Sequence, residues 1–407
     1  MISVEEYQQV VLSQVRPLAP QRVPLTAAHG LRLAEDLTAT LAVPPFDNSA
    51  MDGFALRAAD VVGAGEATPR VLPVTADLPA GTTTVPDVPP GGAARIMTGA
   101  PLPPGADTIV PVERTDQPMG ATELPASVAI HVAAQPGAHV RRRGEDIEPG
   151  DPVLAAGTVL GGAQLASAAS AGHGELLVHP RPRVGVLATG DELVAPGTVP
   201  GNGQIPDSNS VLLAGLVREA GGEPVLLGAV PDDPARLLDV VTGALADLDA
   251  LVTSGGVSVG TRDVVKAAFE DQLHFTTVAM QPGKPQGFGV LAGRVPVFAL
   301  PGNPVSVLVS FHVHVVPALR RLLGRTELRP LERATAAVDW RCPPGRRQYL
   351  PALVDETGGP LPLVRPSAAG GSGSHLVASL AAAQALAVVP AEVDAVTAGD
   401  EVGLLRW

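Results

Sequence analysis

Carboxylates recur in this chain where three apolar runs give way to glycine or proline. Val184-Gly-Val-Leu-Ala188 ends in Thr189-Gly-Asp-Glu-Leu193, and a second run leads to Pro231-Asp-Asp-Pro234. Ala250-Leu-Val-Thr253 opens into Ser254-Gly-Gly-Val-Ser-Val-Gly260, with Asp263 just beyond. Two more loops, Pro282-Gly-Lys-Pro285 and Pro301-Gly-Asn-Pro304, share the turn chemistry without a carboxylate. A site that gathers Asp191, Glu192, Asp232, Asp233 and Asp263 against glycine-rich backbone suits a hard divalent cation beside a phosphate. Mg²⁺ takes oxygen ligands and keeps waters and substrate phosphate oxygens. Glycine-rich backbone and helix N-termini present N–H groups to the anion. Each signal alone has a plainer reading: the 254–260 loop as a tight turn, Asp232 and Asp233 as helix caps. Capping alone does not explain why they recur at successive strand ends.

The cations are as selective as the acids. Of 28 basic residues only Lys266 and Lys284 are lysine, the rest being arginine. A lysine is a compact charge that the planar guanidinium cannot always replace, so Lys284, inside a glycine–proline loop, is a candidate for anion binding. Arg141-Arg142-Arg143 reads as an ion-paired turn more readily than as a nucleic-acid patch. His312 and His314 are two apart on a predicted helix, which places them on different faces; packing explains them better than metal binding. A Gly-x-Gly-x-x-Gly opening of the first helix and a Gly-x-x-x-x-Gly-Lys-Ser/Thr loop are both missing, which argues against a dehydrogenase or a P-loop ATPase.

These residues need a scaffold that brings strand ends together. From Arg183 to about Leu323, apolar runs of strand length alternate with helical patterns. A helix is expected over 209–220 with Ser208 or Asn209 as cap, a second capped by Asp233 with Pro234 at its first position, and a third over about 262–270. Further strands are expected at Val225-Leu226-Leu227 and Val295–Leu300, with a helix from about Pro304. Alternation of this kind predicts a parallel, doubly wound sheet, whose ligands bind outside the carboxyl ends of its strands. Upstream, Val4, Tyr7, Val11, Val15 and Leu18 lie at helical spacing behind a Ser3/Glu6 capping box. From about Leu41 to Val140 short Val- and Thr-rich runs predict an all-β module, and after about Arg325 short strands predict a C-terminal β-barrel.

Composition sets outer limits. At 407 residues the chain has room for about two to four domains. Hydrophobic residues make up 45% and aromatics only 3%, so cores are built from Val, Leu and Ala. One cysteine, Cys342, rules out a disulfide framework and any multi-thiolate metal site. The net charge of −13 argues against nucleic acid as partner. The acidic start lacks the regions of a signal peptide, and no run of about 18 uninterrupted apolar residues occurs; the expected location is cytoplasmic, with no membrane association.

Pro44-Pro-Phe-Asp-Asn-Ser-Ala-Met-Asp-Gly-Phe-Ala55 resembles a signature of the molybdopterin molybdenumtransferases, the family of bacterial MoeA and the C-terminal domain of gephyrin. Arg95-Ile-Met-Thr-Gly-Ala-Pro101, Arg141-Arg-Arg-Gly-Glu-Asp-Ile147, Asp207-Ser-Asn209, the α/β loops above and Gly373-Ser-His375 extend the likeness nearly end to end. The resemblance implies α/β plus β architecture in an elongated, multi-domain subunit that forms a homodimer. A discontinuous helical and linker domain would take residues 1–45 and 141–180, and a β domain 46–140. A doubly wound molybdopterin-binding domain would take 181–325, and a β-barrel 326–407. The implied reaction takes adenylylated molybdopterin and molybdate, hydrolyses the adenylate with Mg²⁺ assistance, and releases AMP. The molybdopterin adenylyltransferase and other proteins of cofactor biosynthesis would be partners.

By position, Asp52, Thr98, Glu192, Asp232 and Asp263 match residues implicated in the family's chemistry, and Lys284 joins them as a catalytic candidate. Glu192, Asp232 and Asp263 would be the metal ligands. Thr189, Gly190, Asp191, Asp207, Ser208 and Asn209 would bind nucleotide and pterin phosphate. Ser254, Gly255, Gly256, Ser258 and Gly260 would form the anion loop, Pro301, Asn303 and Pro304 the rim, and Ser374 would reach it from the barrel. The likeness also places a site between subunits, one supplying Asp52 and the other Asp263. Two departures stand out: Gln281 and Thr277 occupy places where the family often carries basic residues. A diverged paralogue that uses tungstate, or binds cofactor without catalysis, is the competing reading. A scaffolding role is a third, which the expected lack of a long linker or fused adenylyltransferase domain disfavours.

Overall fold

The structure, a computed structural model, describes residues 1–407 apart from 121–122, 258–262, 326–329, 358 and 369–376. The chain forms two compact units, Arg22–Val178 on the one hand and Met1–Gln21 with His179–Trp407 on the other.

The Arg22–Val178 unit holds a five-stranded mixed sheet in the order Thr108–Pro111, Gly53–Leu56, Ala93–Ile96, Arg70–Leu78, Ser127–Ile130. The period of two along a strand explains its two cores. Phe54 and Leu56 pack on one face with Leu72 and Val110, while Ala55 packs on the other with Leu78 and Ile109. The Arg141-Arg142-Arg143 run is an ion-paired turn: Arg142 Nη1 lies 2.7 Å from Asp47, and Arg143 lies 3.0 Å from Glu148.

The larger unit is built on a six-stranded sheet. Its order is Glu223–Val230, Arg183–Thr189, Ala250–Ser254, Val295–Leu300, Pro285–Leu291, Leu273–Thr277. The first four strands are parallel, as expected. The last two pairings are antiparallel, so Pro285–Leu291 runs against the other five strands and the sheet is mixed rather than wholly parallel. The reason is the short turn between Leu291 and Val295, which can join antiparallel neighbours only; a parallel step needs a crossover of a dozen residues or more. The reversal carries the 282–285 loop to the rim. Gly287 pairs with Ala299 and Leu291 with Val295, so the Pro285 end lies beside the carboxyl end of Val295–Leu300.

Both faces are covered, as a doubly wound sheet requires. Val184, Val186 and Val252 pack against Leu213 and Val217 of the helix Ser208–Glu219 and against Val307, Val309 and Phe311. On the opposite face, Leu187, Leu251 and Val297 pack against Leu237 and Val241 of the helix Pro234–Ala244 and against Val265. The helix Val4–Gln14 adds Val4, Tyr7 and Val11 to the first core. Its Ser3/Glu6 capping box is formed at 3.1 and 2.7 Å, a contribution of about 1 kcal/mol.

The helical stretch Pro304–Leu322 is long and apolar enough by composition to cross a membrane, yet 78% of its apolar window is buried inside the molecule. It is a core helix. A π turn at Phe311–Val315 interrupts it, and His312 and His314 are both buried there. His314 meets the Tyr7 ring edge-on at 4.7 Å, and His312 stacks on Trp407 at 4.9 Å. These are packing roles, as the sequence indicated.

The C-terminal region closes as a five-stranded barrel of Glu332–Ala336, Arg347–Asp355, Leu363–Pro366, Ala385–Val389 and Glu401–Arg406, because Arg347–Asp355 pairs with both Leu363–Pro366 and Ala385–Val389. Its first long strand also pairs in parallel with Met280–Gln281, Met280 opposite Arg347 and Gln281 opposite Gln348. The loop before Lys284 is thereby joined to the barrel.

Candidate functional site

At the carboxyl ends of the parallel strands lies a cleft of about 590 Å³. All five loops singled out from the sequence contribute to it. Thr189, Gly190 and Glu192 come from the first strand's end, and Asp207, Ser208 and Asn209 from the head of the next helix. Asp232 follows the second strand, Ser254, Gly255, Gly256 and Asp263 the third, and Pro301, Asn303 and Pro304 the fourth. Lys284 arrives through the antiparallel reversal and is the one cationic side chain lining the cleft among the described residues.

The floor is held by backbone that only glycine fits. Gly255 has φ +96° and Gly256 φ +68°. A Cβ on Gly255 would lie 2.8 Å from the Thr189 carbonyl oxygen, and one on Gly256 would lie 3.0 Å from the Val265 nitrogen. The third strand's turn is thus laid directly on the first strand's end. The Gly255 N–H donates to Leu300 O at 3.1 Å, and the Asn209 amide donates to Gly302 O at 2.7 Å, tying the 207–209 and 301–304 loops together. Several polar atoms at the floor are buried without a partner among the described residues: Thr189 Oγ1, Ser254 Oγ, Asn209 Oδ1 and Asp263 Oδ2. Buried polar groups are costly unless satisfied, so this cluster is a place prepared for a polar ligand.

The acids divide by task. Asp207, and neither Ser208 nor Asn209, is the N-cap of Ser208–Glu219, its carboxylate accepting from the Ser210 N–H at 3.0 Å. The sequence reading erred because all three residues are good caps and the helix begins one residue earlier than its apolar pattern. Asp233 caps Pro234–Ala244 as expected, accepting from the Ala235 and Arg236 N–H groups at 2.9 and 3.3 Å. Asp191 does not line the cleft; its carboxylate accepts from the Asp232 N–H at 3.1 Å and so fixes the backbone beside it. Asp263 begins the helix Val264–Phe269, shorter than the expected 262–270, but makes no side-chain cap. Asp232 holds its proton more tightly than an ordinary aspartate, through burial first and then the charges of Asp191, Glu192 and Asp263. Like charges that raise one another's proton affinity favour a cation among them. Among the described residues no group of three His, Cys, Asp or Glu side chains is arranged as a metal cage; Glu192, Asp232 and Asp263 share the cleft without closing around one point.

Asp52 and Thr98 lie in the Arg22–Val178 unit. Asp52 Oδ1 accepts from both the Thr98 N–H and its hydroxyl at 2.7 Å. These two bonds hold the carboxyl below the usual range, so it is ionised at neutral pH. Ser258, Gly260 and Ser374 lie outside the described residues.

One residue escaped sequence reasoning. Arg346, from the turn before the barrel's first long strand, donates through Nη1 to Gln281 Oε1 at 2.8 Å. Gln281 lines the cleft beside Lys284. The two residues are 65 apart in sequence, and no local pattern announces their contact.

The chain is similar to known proteins along its whole length. The MoeA N-terminal region (domain I and II) matches residues 2–172, the probable molybdopterin binding domain 185–321, and the MoeA C-terminal region (domain IV) 333–407. Molybdopterin molybdenumtransferase 2 of Mycobacterium tuberculosis (strain ATCC 25618 / H37Rv) is 44% identical, over 99% of this chain and 98% of its own length. The molybdopterin molybdenumtransferase of Nostoc sp. is 36% identical, over 100% of this chain and 94% of its own. The crystal structure of the molybdopterin biosynthesis MoeA protein from Pyrococcus horikoshii superimposes with a TM-score of 0.80 at 33% identity, covering 100% of this chain and 99% of that one.

Proposed function

Since this chain belongs to the molybdopterin molybdenumtransferase family, we propose that it transfers molybdenum from molybdate to the dithiolene of adenylylated molybdopterin, with hydrolysis of the adenylate and release of AMP. The observation that carries this reading is the composition of the cleft. Glycine backbone, the N-terminus of Ser208–Glu219 and Lys284 suit phosphate, and they adjoin Glu192, Asp232 and Asp263, which suit a cation. Adenylate hydrolysis needs both, since it separates two phosphate-bearing products.

The donor set fits Mg²⁺. All three acids are oxygen donors, one oxygen of Asp263 is buried without a partner among the described residues, and Asp232 is crowded by like charge. Mg²⁺ commonly takes one or two carboxylates together with substrate phosphate and water, so a full protein cage is not required. When bound, the ion would neutralise charge developing on the leaving phosphate. The chain's own residues do the positioning. Lys284 and the Gly255–Gly256 backbone would take phosphate oxygens, and Asn209 would keep the 301–304 rim in register. Asp52, kept ionised by Thr98, enters through the family likeness as a fixed anionic group in the same chemistry. The reading includes a cytoplasmic homodimer, supplied with substrate by the molybdopterin adenylyltransferase.

The test uses the full-length protein with adenylylated molybdopterin, Mg²⁺ and either molybdate or tungstate. AMP is followed by mass spectrometry, and cofactor by reconstitution of a cofactor-free molybdoenzyme. AMP release that depends on molybdate, with a reconstituted enzyme, is the expected result. Release with tungstate alone would establish the diverged paralogue instead, and no release with either oxyanion would end the enzymatic reading.

A further inference from the structure

A second cavity, of about 250 Å³, opens within the Arg22–Val178 unit beside Asp52. Its walls are apolar. Phe54 and Met97 come from the sheet, and Pro118 and Met119 from the loop after the short helical turn Val112–Arg114. Two anchors hold that loop: the Asp116 carboxylate accepts from the Ala129 N–H at 2.9 Å, and Arg95 Nη1 donates to the Glu123 carbonyl oxygen at 3.0 Å. Met119 nevertheless stands 73% exposed. The polar groups are acceptors. The Val112 N–H donates to the Asp52 carbonyl oxygen at 3.1 Å, which keeps the turn carrying Glu113 on the Asp52 backbone. Asp52 Oδ1 takes both Thr98 bonds, while Oδ2 has no hydrogen bond among the described residues. Glu113 makes neither hydrogen bond nor ion pair among them. Arg95, the one cation lining the cavity among the described residues, is engaged by Asp77 through Nε at 2.8 Å and Nη2 at 2.5 Å. A ligand that fits must therefore bring apolar faces and N–H donors. An apolar cavity of about 150 Å³ holds a single benzene ring, so this one has room for a bicyclic ring. It falls short of the roughly 300–1,000 Å³ that whole ligands of drug size occupy.

On the reading given under Proposed function, we propose that this cavity binds a flat, bicyclic nitrogen heterocycle bearing an amino group. The ring lies against Met97 and Met119, whose polarisable thioethers suit aromatic rings, and its N–H groups donate to the Asp52 and Glu113 carboxylates. Adenylylated molybdopterin carries two such rings, the pterin and the adenine, and both present amino N–H groups in the ring plane. The same two carboxylates repel phosphate, so the cavity reads a ring of the substrate and not its anionic groups.

The probes are pterin and adenosine, two rings without phosphate, titrated against the full-length protein. Pterin is followed by its own fluorescence and adenosine by calorimetry. Wild type should bind at least one of them, and the tighter probe names the end of the substrate that the cavity takes. Glu113→Gln should weaken that probe about tenfold, through the loss of a hydrogen bond to a charged group. Met119→Ala should weaken it about threefold, through the loss of one thioether contact. Both side chains are exposed, so the fold should survive either change, and thermal melts check this. The same variants should raise the KM for adenylylated molybdopterin with kcat within about twofold, the signature of lost binding rather than lost chemistry. Saturating inorganic phosphate should leave the ring bound. Displacement by phosphate would place the ring in the phosphate cleft and overturn the proposal. So would the failure of both probes to bind at millimolar concentration, or an affinity that neither variant moves. Ring binding needs no turnover, so a wild type that binds the ring in this cavity yet releases no AMP defeats the parent reading alone.

Discussion

Replacing Gly255 by alanine should injure the cleft through its backbone without removing any chemical group. Gly255 has φ +96°, and an added Cβ would lie 2.8 Å from the Thr189 carbonyl oxygen and 2.9 Å from Thr189 Oγ1. The positive φ alone costs an L-residue about 1–2 kcal/mol. Overpacking against a main-chain atom that cannot swing aside adds about 1–3 kcal/mol. The sum is about 2–5 kcal/mol. Gly293 provides the control, since its φ is +66° and nothing lies within 4 Å of where its Cβ would stand. Gly293→Ala should cost only the first amount, about 1–2 kcal/mol. In a body of this size each kcal/mol lowers Tm by roughly 2–4 °C, so Gly255→Ala should melt several degrees below Gly293→Ala. The same pair should separate in the AMP-release assay. Gly293→Ala should stay near wild type, while Gly255→Ala should lose more than about tenfold in kcat/KM, because the displaced Thr189 and Gly255 carry the floor of the cleft. Equal melting temperatures for the two variants would refute the close-contact argument, and a fully active Gly255→Ala would refute the placement of that contact under the substrate.

Asp263→Ala and Glu192→Ala should abolish insertion while their melts stay within about 2 °C of wild type, since Asp263 caps no helix end and leaves a buried oxygen unpaired among the described residues; near-normal turnover in both would remove the cation site from the proposal. Lys284→Arg should weaken the molybdate response despite keeping the charge, because a planar fork does not fit where a compact ammonium does; an overlapping titration curve would show that any cation suffices. Added Mg²⁺ should raise Tm at neutral pH, and the gain should fade on acidification at a higher pH than for an ordinary aspartate pair, because the proton competes earlier at Asp232; a gain independent of pH would place the ion elsewhere. Burial lowers the His314 pKa from 6.5 to about 3, so the unfolded chain takes up a proton that the native one refuses. Its contribution is full above pH 6.5 and is lost as pH falls toward 3, with a slope of up to about 1.4 kcal/mol per pH unit; chemical denaturation of His314→Phe should show a shallower acid limb, and an unchanged limb would count against the buried neutral imidazole.

The parts of the fold legible in the sequence were those with short-range causes. Ser3 and Glu6 announce the first helix because a capping box is complete within four residues. The strand ends around Thr189, Ser254 and Pro301 could be placed on one rim because alternating apolar and helical periods leave few topologies. The edge strand Leu273–Thr277 was not legible, since its five residues are too few to set a period and only Leu273 is buried. Asp207 both caps a helix and lines the cleft, and the two roles cannot be separated in the sequence until the helix start is known. Asp191 was taken for a cleft residue, and its turn toward the Asp232 N–H is a matter of loop geometry. The Gln281–Arg346 contact depends on how the barrel docks, which no window of sequence contains.

The two β-rungs between Met280–Gln281 and the barrel's first long strand limit what can be exchanged between relatives. A barrel is often treated as a cassette, portable between proteins that share an architecture. Here the first residues of one barrel strand, Arg347 and Gln348, pair with another domain's loop, at Met280 and Gln281, four and three positions before Lys284. A chimera that borrows a barrel must bring with it a strand start that accepts Met280 and Gln281 in the same register. Otherwise the graft would fold, and the lysine would hang from an unanchored turn.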